Sequence, residues 1–154
     1  MQPQLHEEVS RVLEPKVVSA ERRGRLKMAI RIKNLRLETI LGLRDSERVR
    51  KRAVIINVLL ELESNEAAAH DSIDGTVDYS MVRDEILRRV EGSEFKLIES
   101  LAQDILDHLI TDARISSVVV EVDKPGALRY AESVSVQLSW QRENYLHGIS
   151  EVAD

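Results

Sequence analysis

The segment Lys124-Pro125-Gly126 contains the residue of this sequence whose surroundings most favour chemistry. It lies within residues 118–142, where residues 118–123 and 134–140 each alternate with the period of a half-buried strand. Because proline disfavours the helical conformation of the residue before it, Lys124 is predicted to be extended at the exit of a strand. A lysine fixed in this way beside apolar neighbours is a candidate catalytic amine. The alternative is a solvated lysine at a strand end, since perturbed ionisable groups mark functional sites only statistically.

The composition predicts one soluble domain and excludes several kinds of site. The chain has 154 residues, of which 43% are apolar and 32% charged, and its net charge of −5 weighs against a nucleic-acid-binding protein. It contains no cysteine, which excludes disulfides, thiolate metal sites and cysteine nucleophiles. The four histidines, His6, His70, His108 and His147, lack metal-ligand spacing. No apolar run is long enough to cross a membrane, and charges interrupt the N-terminal segment, so we expect a cytoplasmic protein.

Two strands are predicted in the first half of the chain. Residues 29–39 form the first, in which the apolar positions change parity after Ile32, so a β-bulge is expected near Lys33-Asn34. Residues 53–63 form the second, with five aliphatic residues on one face. Ile55 and Leu59 lie on its other face, which indicates partial cover, for example by another subunit.

Two helices are predicted between the two strand pairs, over residues 79–90 and 97–110, where apolar residues recur three and four apart. The order β-β-α-α-β-β predicts an α+β fold, an antiparallel four-stranded sheet with both helices on one face. Such a sheet has two open edges, which favour pairing with further copies of the chain. We expect a domain over residues 28–142, a flexible N-terminal extension over residues 1–27 and a polar tail over residues 143–154.

Five segments, in order, resemble the dihydroneopterin aldolase family. They are IRIKNLRLETILGL, the glutamate five residues after Gly42, TVDY, FKLIESLAQDIL and DKPGALRYAESVSVQLSWQR. Each motif alone is weak, but five at matching spacing make residues 29–142 similar to this family. ALRYAESVSVQLSWQR and IRIKNLRL resemble the branch of dihydroneopterin triphosphate 2′-epimerases, whereas Lys-Pro-Gly is more aldolase-like, so both branches stay open.

The resemblance implies a tunnelling fold. In this fold ββααββ subunits join their strands into a continuous barrel around a tetrameric ring, and two rings commonly stack into an octamer. The active sites lie at subunit boundaries and use neither a metal ion nor an organic cofactor. The implied partners are a small-molecule pterin and further copies of the chain, with no nucleic acid and no membrane.

The resemblance also implies the reaction. The substrate is 7,8-dihydroneopterin, whose side chain undergoes retro-aldol cleavage to 6-hydroxymethyl-7,8-dihydropterin and glycolaldehyde, a step of folate biosynthesis. Re-addition of glycolaldehyde to the other face yields the 2′-epimer. Lys124 matches the catalytic lysine, and Tyr79 matches a tyrosine that shares proton transfer with it from the neighbouring subunit. Without the family resemblance, Tyr79 is equally well explained as an ordinary aromatic residue at the start of a helix.

The remaining site residues are also implied by the resemblance. Glu99 matches a glutamate that accepts two N–H groups of the pterin edge, and Glu47 matches one that binds the side-chain hydroxyls. The main chain around Val77, Leu97 and Ile98 would frame the ring. From composition alone, Glu99 is a carboxylate in the first turn of a helix, where the dipole favours it, and Glu47 is one charge in a charged loop.

Two departures from the family pattern leave the activity open. Arg52 replaces a glutamine that is common in the family. Leu41 replaces a common aromatic residue or histidine, which would change how the substrate side chain is bound. The basic loop of residues 48–52 would either contact a triphosphate or be a solvated turn. The alternatives are therefore the triphosphate 2′-epimerase, a non-catalytic pterin-binding ring protein, and a phosphate or RNA binder. The combination of Glu47, Tyr79, Glu99 and Lys124 weighs against the non-catalytic protein.

Overall fold

The computed structural model describes residues 26–63 and 70–143. Most of the expected N-terminal extension and polar tail therefore lies outside the described residues. The strands are β1 (Met28–Thr39), β2 (Arg52–Leu62), β3 (Ile115–Pro125) and β4 (Ser133–Gln141). The helices are α1 (Asp45–Arg48), α2 (Tyr79–Glu91) and α3 (Ile98–Leu109), with a 3-10 turn at Ile73–Gly75.

The four strands form one sheet in the order β1-β2-β3-β4, and each neighbouring pair is antiparallel. This confirms the predicted β-β-α-α-β-β order. Two short elements were not predicted, namely α1 in the charged loop after β1 and the 3-10 turn in the polar link before α2. Both are too short to produce a hydrophobic periodicity. Among residues 26–63 and 70–143, no helix is long and apolar enough to span a membrane.

The predicted bulge in β1 is present. The register between β1 and β2 shifts between Ile32 and Leu35, and Asn34 has a positive φ of 52°. The Asn34 N–H donates to the Asn57 side-chain oxygen of β2 at 2.8 Å. The bulge therefore keeps apolar residues on the helix-facing side in spite of the parity change in the sequence.

The core lies between the sheet and the two long helices. The alternate positions of β2, from Val54 to Leu62, are at most 3% exposed, and the inward residues of β3 are fully buried. They pack with the apolar stripes of the helices, which are Ile86 and Val90 of α2 and Leu101, Ala102, Ile105, Leu106 and Leu109 of α3. Both helices thus cover one face, as predicted, because each has a single apolar stripe to bury.

Arg142 fastens the sheet to the end of α3. Its guanidinium donates to the carbonyls of Ile115 (3.1 Å), Ile110 (3.0 Å) and Asp112 (3.1 Å). It also lies 4.8 Å from the centre of the Trp140 ring, within the range of a cation–π contact. These contacts fix the start of β3, the strand whose other end carries Lys124.

Candidate active site

A pocket of about 370 Å³ opens at the end of β3. Three segments form its walls: the loop from Gly42 through α1, the start of α3, and the β3–β4 hairpin. The residues that line it include Arg44, Glu47, Arg52, Lys96, Leu97, Ile98, Glu99, Lys124, Gly126, Leu128 and Val134. Five of the seven predicted site residues, Glu47, Leu97, Ile98, Glu99 and Lys124, therefore meet in one pocket.

Lys124 is the buried cation of this pocket. It is the second-last residue of β3 and is only 8% exposed. It pairs with Val134 of β4, so strand pairing holds its backbone extended as Pro125 predicts. The alternative of a solvated lysine at a strand end is therefore wrong. A buried ammonium requires a partner, because an unpaired charge in this setting would be strongly destabilising.

That partner is Glu47 of α1. The Lys124 Nζ donates to Glu47 Oε2, and the two side chains are 10% and 15% exposed. This hydrogen bond lowers the pKa of the Glu47 carboxyl below its ordinary value of 4.5. The other carboxylate oxygen accepts the main-chain N–H of Arg44 at 3.4 Å, which also favours the charged form. The pair brings together a carboxylate and an amine 77 residues apart in the chain.

Gly42 makes room for the Glu47 carboxylate. Its φ of +143° is a conformation that residues with a side chain rarely adopt. A Cβ at this position would collide with the carboxyl carbon and both oxygens of Glu47. A linear sequence does not show which side chain approaches Gly42.

Arg48 connects α1 to the loop before α3. Its guanidinium donates to the carbonyls of Gly42 (3.3 Å), Phe95 (3.1 Å) and Glu94 (2.8 Å). The Gly42 N–H also donates to the Phe95 carbonyl at 3.3 Å. Of the basic loop, Arg48 is therefore engaged with main chain rather than with solvent. Arg52 lines the pocket, whereas residues 50 and 51 do not.

The start of α3 forms the wall opposite Lys124. Leu97 is the extended residue before the helix and Glu99 lies in its first turn, where a carboxylate is favoured by the helix dipole. Among the described residues, no side chain forms an ion pair or hydrogen bond with the Glu99 carboxylate. Glu99 is thus both a helix-start residue and a free acceptor facing the pocket.

Two predicted site residues lie elsewhere in the subunit. Tyr79, the first residue of α2, is 62% exposed and contacts a separate groove beside the start of β1. Val77 is buried at 3% exposure and lines a different pocket, which includes the start of β3. Neither residue lines the pocket that contains Lys124. A single subunit therefore does not bring Tyr79 to Lys124.

Other residues of the pocket were not predicted from sequence. Leu41, next to the pocket residue Gly42, is 2% exposed and belongs to the core, and its expected effect on how the substrate side chain is bound stays a prediction. Arg44 and Lys96 line the pocket without having been predicted. Among the described residues, no carboxylate forms a salt bridge with Arg44, Arg52 or Lys96, and the charge of Arg44 contributes to the lowered pKa of Glu47. No local signal identifies these cations, because each is one charge in a polar stretch.

The described part of the chain, residues 26–63 and 70–143, contains no group of three or more His, Asp or Glu side chains arranged to hold a metal ion. The predicted site residues that meet in the pocket supply an amine, two carboxylates and main-chain groups. The pocket combines a buried amine–carboxylate pair with a free carboxylate, an arrangement that can move a proton at one end of a ligand and accept N–H groups at the other.

Comparison with known proteins identifies the family of this chain. The family model described as "Dihydroneopterin aldolase" matches residues 30–139. The chain belongs to the dihydroneopterin aldolase family. This confirms the resemblance found from the five sequence segments, and the matched range includes the predicted site residues.

Two curated relatives represent the two branches of the family. The dihydroneopterin triphosphate 2′-epimerase of Escherichia coli is 41% identical over 113 residues, which cover 73% of this chain and 94% of that protein. The dihydroneopterin aldolase of Escherichia coli is 25% identical over 105 residues, which cover 68% of this chain and 86% of that protein. The relatives are enzymes of both branches, as the sequence segments indicated.

A solved structure supports the fold. The crystal structure of Escherichia coli dihydroneopterin aldolase in complex with neopterin superposes with a TM-score of 0.70 at 23% identity, covering 73% of this chain and 98% of that one. The subunit therefore has the predicted fold, with an antiparallel four-stranded sheet and two helices on one face.

Proposed function

We propose that this protein is a cofactor-independent enzyme of folate and pterin metabolism that performs retro-aldol chemistry on the side chain of 7,8-dihydroneopterin. The products are 6-hydroxymethyl-7,8-dihydropterin and glycolaldehyde, with 2′-epimerisation by the same chemistry. The observation that carries this proposal is the buried Lys124–Glu47 pair, which shares a pocket with the free Glu99 carboxylate.

Lys124 acts as the base in this proposal. A lysine accepts a proton only as the neutral amine, and its Nζ donates to Glu47 in the free protein. The Lys124 ammonium therefore first gives up a proton, which Glu47 or water accepts as the substrate hydroxyl enters between the two groups. Lys124 then takes the proton of the 2′-hydroxyl, the C1′–C2′ electrons pass into the ring imine, and glycolaldehyde leaves. Protonation of the resulting enamine at C1′ completes the cleavage.

The two carboxylates hold opposite ends of the substrate. Glu99 accepts two neighbouring N–H groups of the pterin ring, a bidentate contact that favours planar ligands with adjacent donors. The main chain of Leu97 and Ile98 frames the ring on the same wall. Glu47 accepts the side-chain hydroxyls close to Lys124. This division of roles is consistent with the positions of the two carboxylates on different walls of the pocket.

Tyr79 and Val77 complete the site from a neighbouring subunit in this proposal. Tyr79 lies beside β1, one edge of the sheet, whereas the pocket extends to the β3–β4 hairpin at the other edge. A ring that joins the β1 edge of one copy to the β4 edge of the next would bring two such regions together. A tetrameric ring, or an octamer of two rings, is the proposed assembly.

The triphosphate 2′-epimerase is the second candidate, and two observations favour it. The chain is more similar to the epimerase of Escherichia coli, at 41% identity, than to the aldolase of that organism, at 25%. In addition, Arg52 and Lys96 line the pocket without a carboxylate partner among the described residues. Unpaired cations at a pocket wall favour a substrate that carries phosphate.

The proposal is tested by incubating the protein with 7,8-dihydroneopterin and its triphosphate in parallel and separating the products by chromatography. Mostly 6-hydroxymethyl-7,8-dihydropterin identifies an aldolase. Mostly the 2′-epimer, formed from the triphosphate, identifies the epimerase. The Arg52→Gln variant, which has the residue common in relatives, should then lose part of its preference for the triphosphate. Binding of a pterin without any product would instead indicate the non-catalytic pterin-binding protein.

A further inference from the structure

Arg48 forms the most extensive side-chain link between the two walls of the pocket that carry its carboxylates. Its guanidinium donates to Gly42 on the Glu47 side and to Glu94 and Phe95 on the Glu99 side. All three acceptors are main-chain carbonyls, at 2.8–3.3 Å. A planar guanidinium can serve several acceptors at once in a fixed geometry, which an ammonium on a flexible stem cannot do.

The two walls differ in how firmly the core holds them. Glu99 lies on α3, which contributes five buried residues to the core. Glu47 lies on α1, a helix of four residues, none of which is buried. The position of α1 thus depends on polar contacts, namely the Lys124–Glu47 pair, the bond from the Gly42 N–H to the Phe95 carbonyl, and Arg48. Phe95 itself packs against the core, so the link through Arg48 ends on a fixed point.

We propose that Arg48 is a positioning residue, which holds Glu47 and Lys124 at the correct distance from the ring-binding wall. This inference rests on the proposed function and goes beyond it. Arg48 does not line the pocket. Its role is to keep the proton-transfer pair in register with Glu99, so that one rigid substrate reaches both.

The first prediction of this inference concerns turnover and ring binding separately. Without Arg48, the Glu47 wall becomes loose while α3 stays in place. In Arg48→Met, kcat for the preferred substrate should fall by about tenfold or more, since displacements near 1 Å are costly in a positioned site. The dissociation constant of a pterin without the trihydroxypropyl side chain, measured by fluorescence quenching, should change by less than about twofold, because its contacts lie on α3.

Two further variants separate this role from general loss of stability. Arg48→Lys retains the charge and one donor group, so its kcat should lie between those of the wild type and Arg48→Met. Arg50→Met is the matched control, because it removes an exposed arginine two residues away and should leave kcat and binding unchanged. Hydrogen exchange at the Glu47 and Arg48 amides, which bond to the Arg44 carbonyl, should be faster in Arg48→Met than in the control.

The outcomes are distinguishable. Wild-type kcat in Arg48→Met would overturn the inference and leave the proposed function standing. Equal loss of turnover and of ring binding in Arg48→Met would also overturn it, because that result indicates general unfolding of the site. A wild-type protein that turns over neither substrate would overturn the proposed function and this inference with it. Loss of kcat with ring binding retained, and partial recovery in Arg48→Lys, would support it.

Discussion

Lys124 and Glu47 illustrate how two charged side chains can be placed in a largely apolar setting. Each is at most 15% exposed at the side chain, and each is the counter-ion of the other. Removal of one member leaves the other as an unpaired charge, which is more costly than loss of an exposed ion pair. The consequence is that variants of this pair have to be judged by binding and folding as well as by turnover.

Replacement of Lys124 by alanine should remove turnover and leave ring binding. Loss of a positioned base lowers rates by roughly 10²- to 10⁴-fold, so kcat of Lys124→Ala should fall into that range. In the proposed function α3 holds the pterin ring, so the dissociation constant of the ring should stay close to that of the wild type. Lys51→Ala, in the same protein and away from the pocket, is the control. Near-normal turnover of Lys124→Ala would exclude Lys124 as the base.

Replacement of Glu99 by glutamine should weaken the binding of the pterin ring. The amide retains the shape but loses the charge and one of the two acceptor positions. Since a hydrogen bond to a charged group contributes about 1.5–3 kcal/mol, pterin affinity should fall roughly 10- to 100-fold. Fluorescence quenching measures the affinity, with Glu94→Gln as the control on the neighbouring exposed surface. An unchanged affinity would reduce Glu99 to a residue of the helix start.

The stability of the protein should depend on pH through Glu47. Its pKa is lower in the folded protein than the ordinary value of 4.5, because Lys124 donates a hydrogen bond to it. The pair therefore stabilises the fold fully above that ordinary pKa, and the contribution is lost as the pH falls through the lowered pKa. Thermal unfolding of the wild type and of Glu47→Gln should differ most at neutral pH and converge as the pH falls below the lowered pKa of Glu47. A difference that stays constant over this range would contradict the assignment.

At the level of secondary-structure elements, α1 is the part of the site whose position depends most on polar contacts. This helix has no buried residue. Its position is set by Gly42 in the loop before it, by the ion pair of Glu47 with Lys124, and by the hydrogen bonds of Arg48, its last residue. Long elements such as α3 are held by apolar burial, whereas α1 is held by hydrogen bonds and one ion pair. Backbone changes near α1 should therefore alter chemistry more than they alter folding.

The Gly42→Ala variant tests this dependence. A methyl group added at Gly42 collides with the Glu47 carboxylate, and the new alanine also has to adopt a φ of +143°. We expect Glu47 to leave Lys124, with loss of turnover and a destabilisation of roughly 1–3 kcal/mol from backbone strain. Gly126→Ala is the matched control for stability, because its φ is +70° but no atom lies within 4 Å of the added methyl group. Equal destabilisation of the two variants, with kcat retained in Gly42→Ala, would show that the collision is relieved without moving Glu47.

At the level of the whole molecule, the subunit leaves both sheet edges and part of its site open. β1 and β4 are the outer strands, and Tyr79 lies beside β1, outside the Lys124 pocket of its own subunit. In the proposed assembly, a second copy supplies Tyr79 to this pocket. This separation provides a direct test of the proposed assembly.

Co-expression of Lys124→Ala and Tyr79→Phe subunits should restore activity. Each variant alone lacks one member of every site, whereas mixed rings contain boundaries with Lys124 from one subunit and Tyr79 from the next. With random mixing in a closed ring, roughly a quarter of the sites should be complete. The recovered kcat per site is compared with that of mixtures of separately purified, unmixed variants. No recovery in rings shown to be mixed would indicate that Tyr79 acts within its own subunit or not at all.

The sequence by itself determined the element order, the antiparallel sheet, the bulge at Asn34 and the family. These features depend on local periodicity, on turn residues and on motifs along the chain. They can be predicted because their physical causes lie within a few residues of one another. It also indicated Lys124, because Pro125 constrains its neighbour locally. By contrast, only the tertiary structure decided that Glu47 is the partner of Lys124, that Gly42 clears the space for it and that Arg48 holds the loop. Some of these contacts join segments that are remote in the chain, and others depend on where the side chains of a short loop point. Neither kind of contact produces a periodic pattern in the sequence.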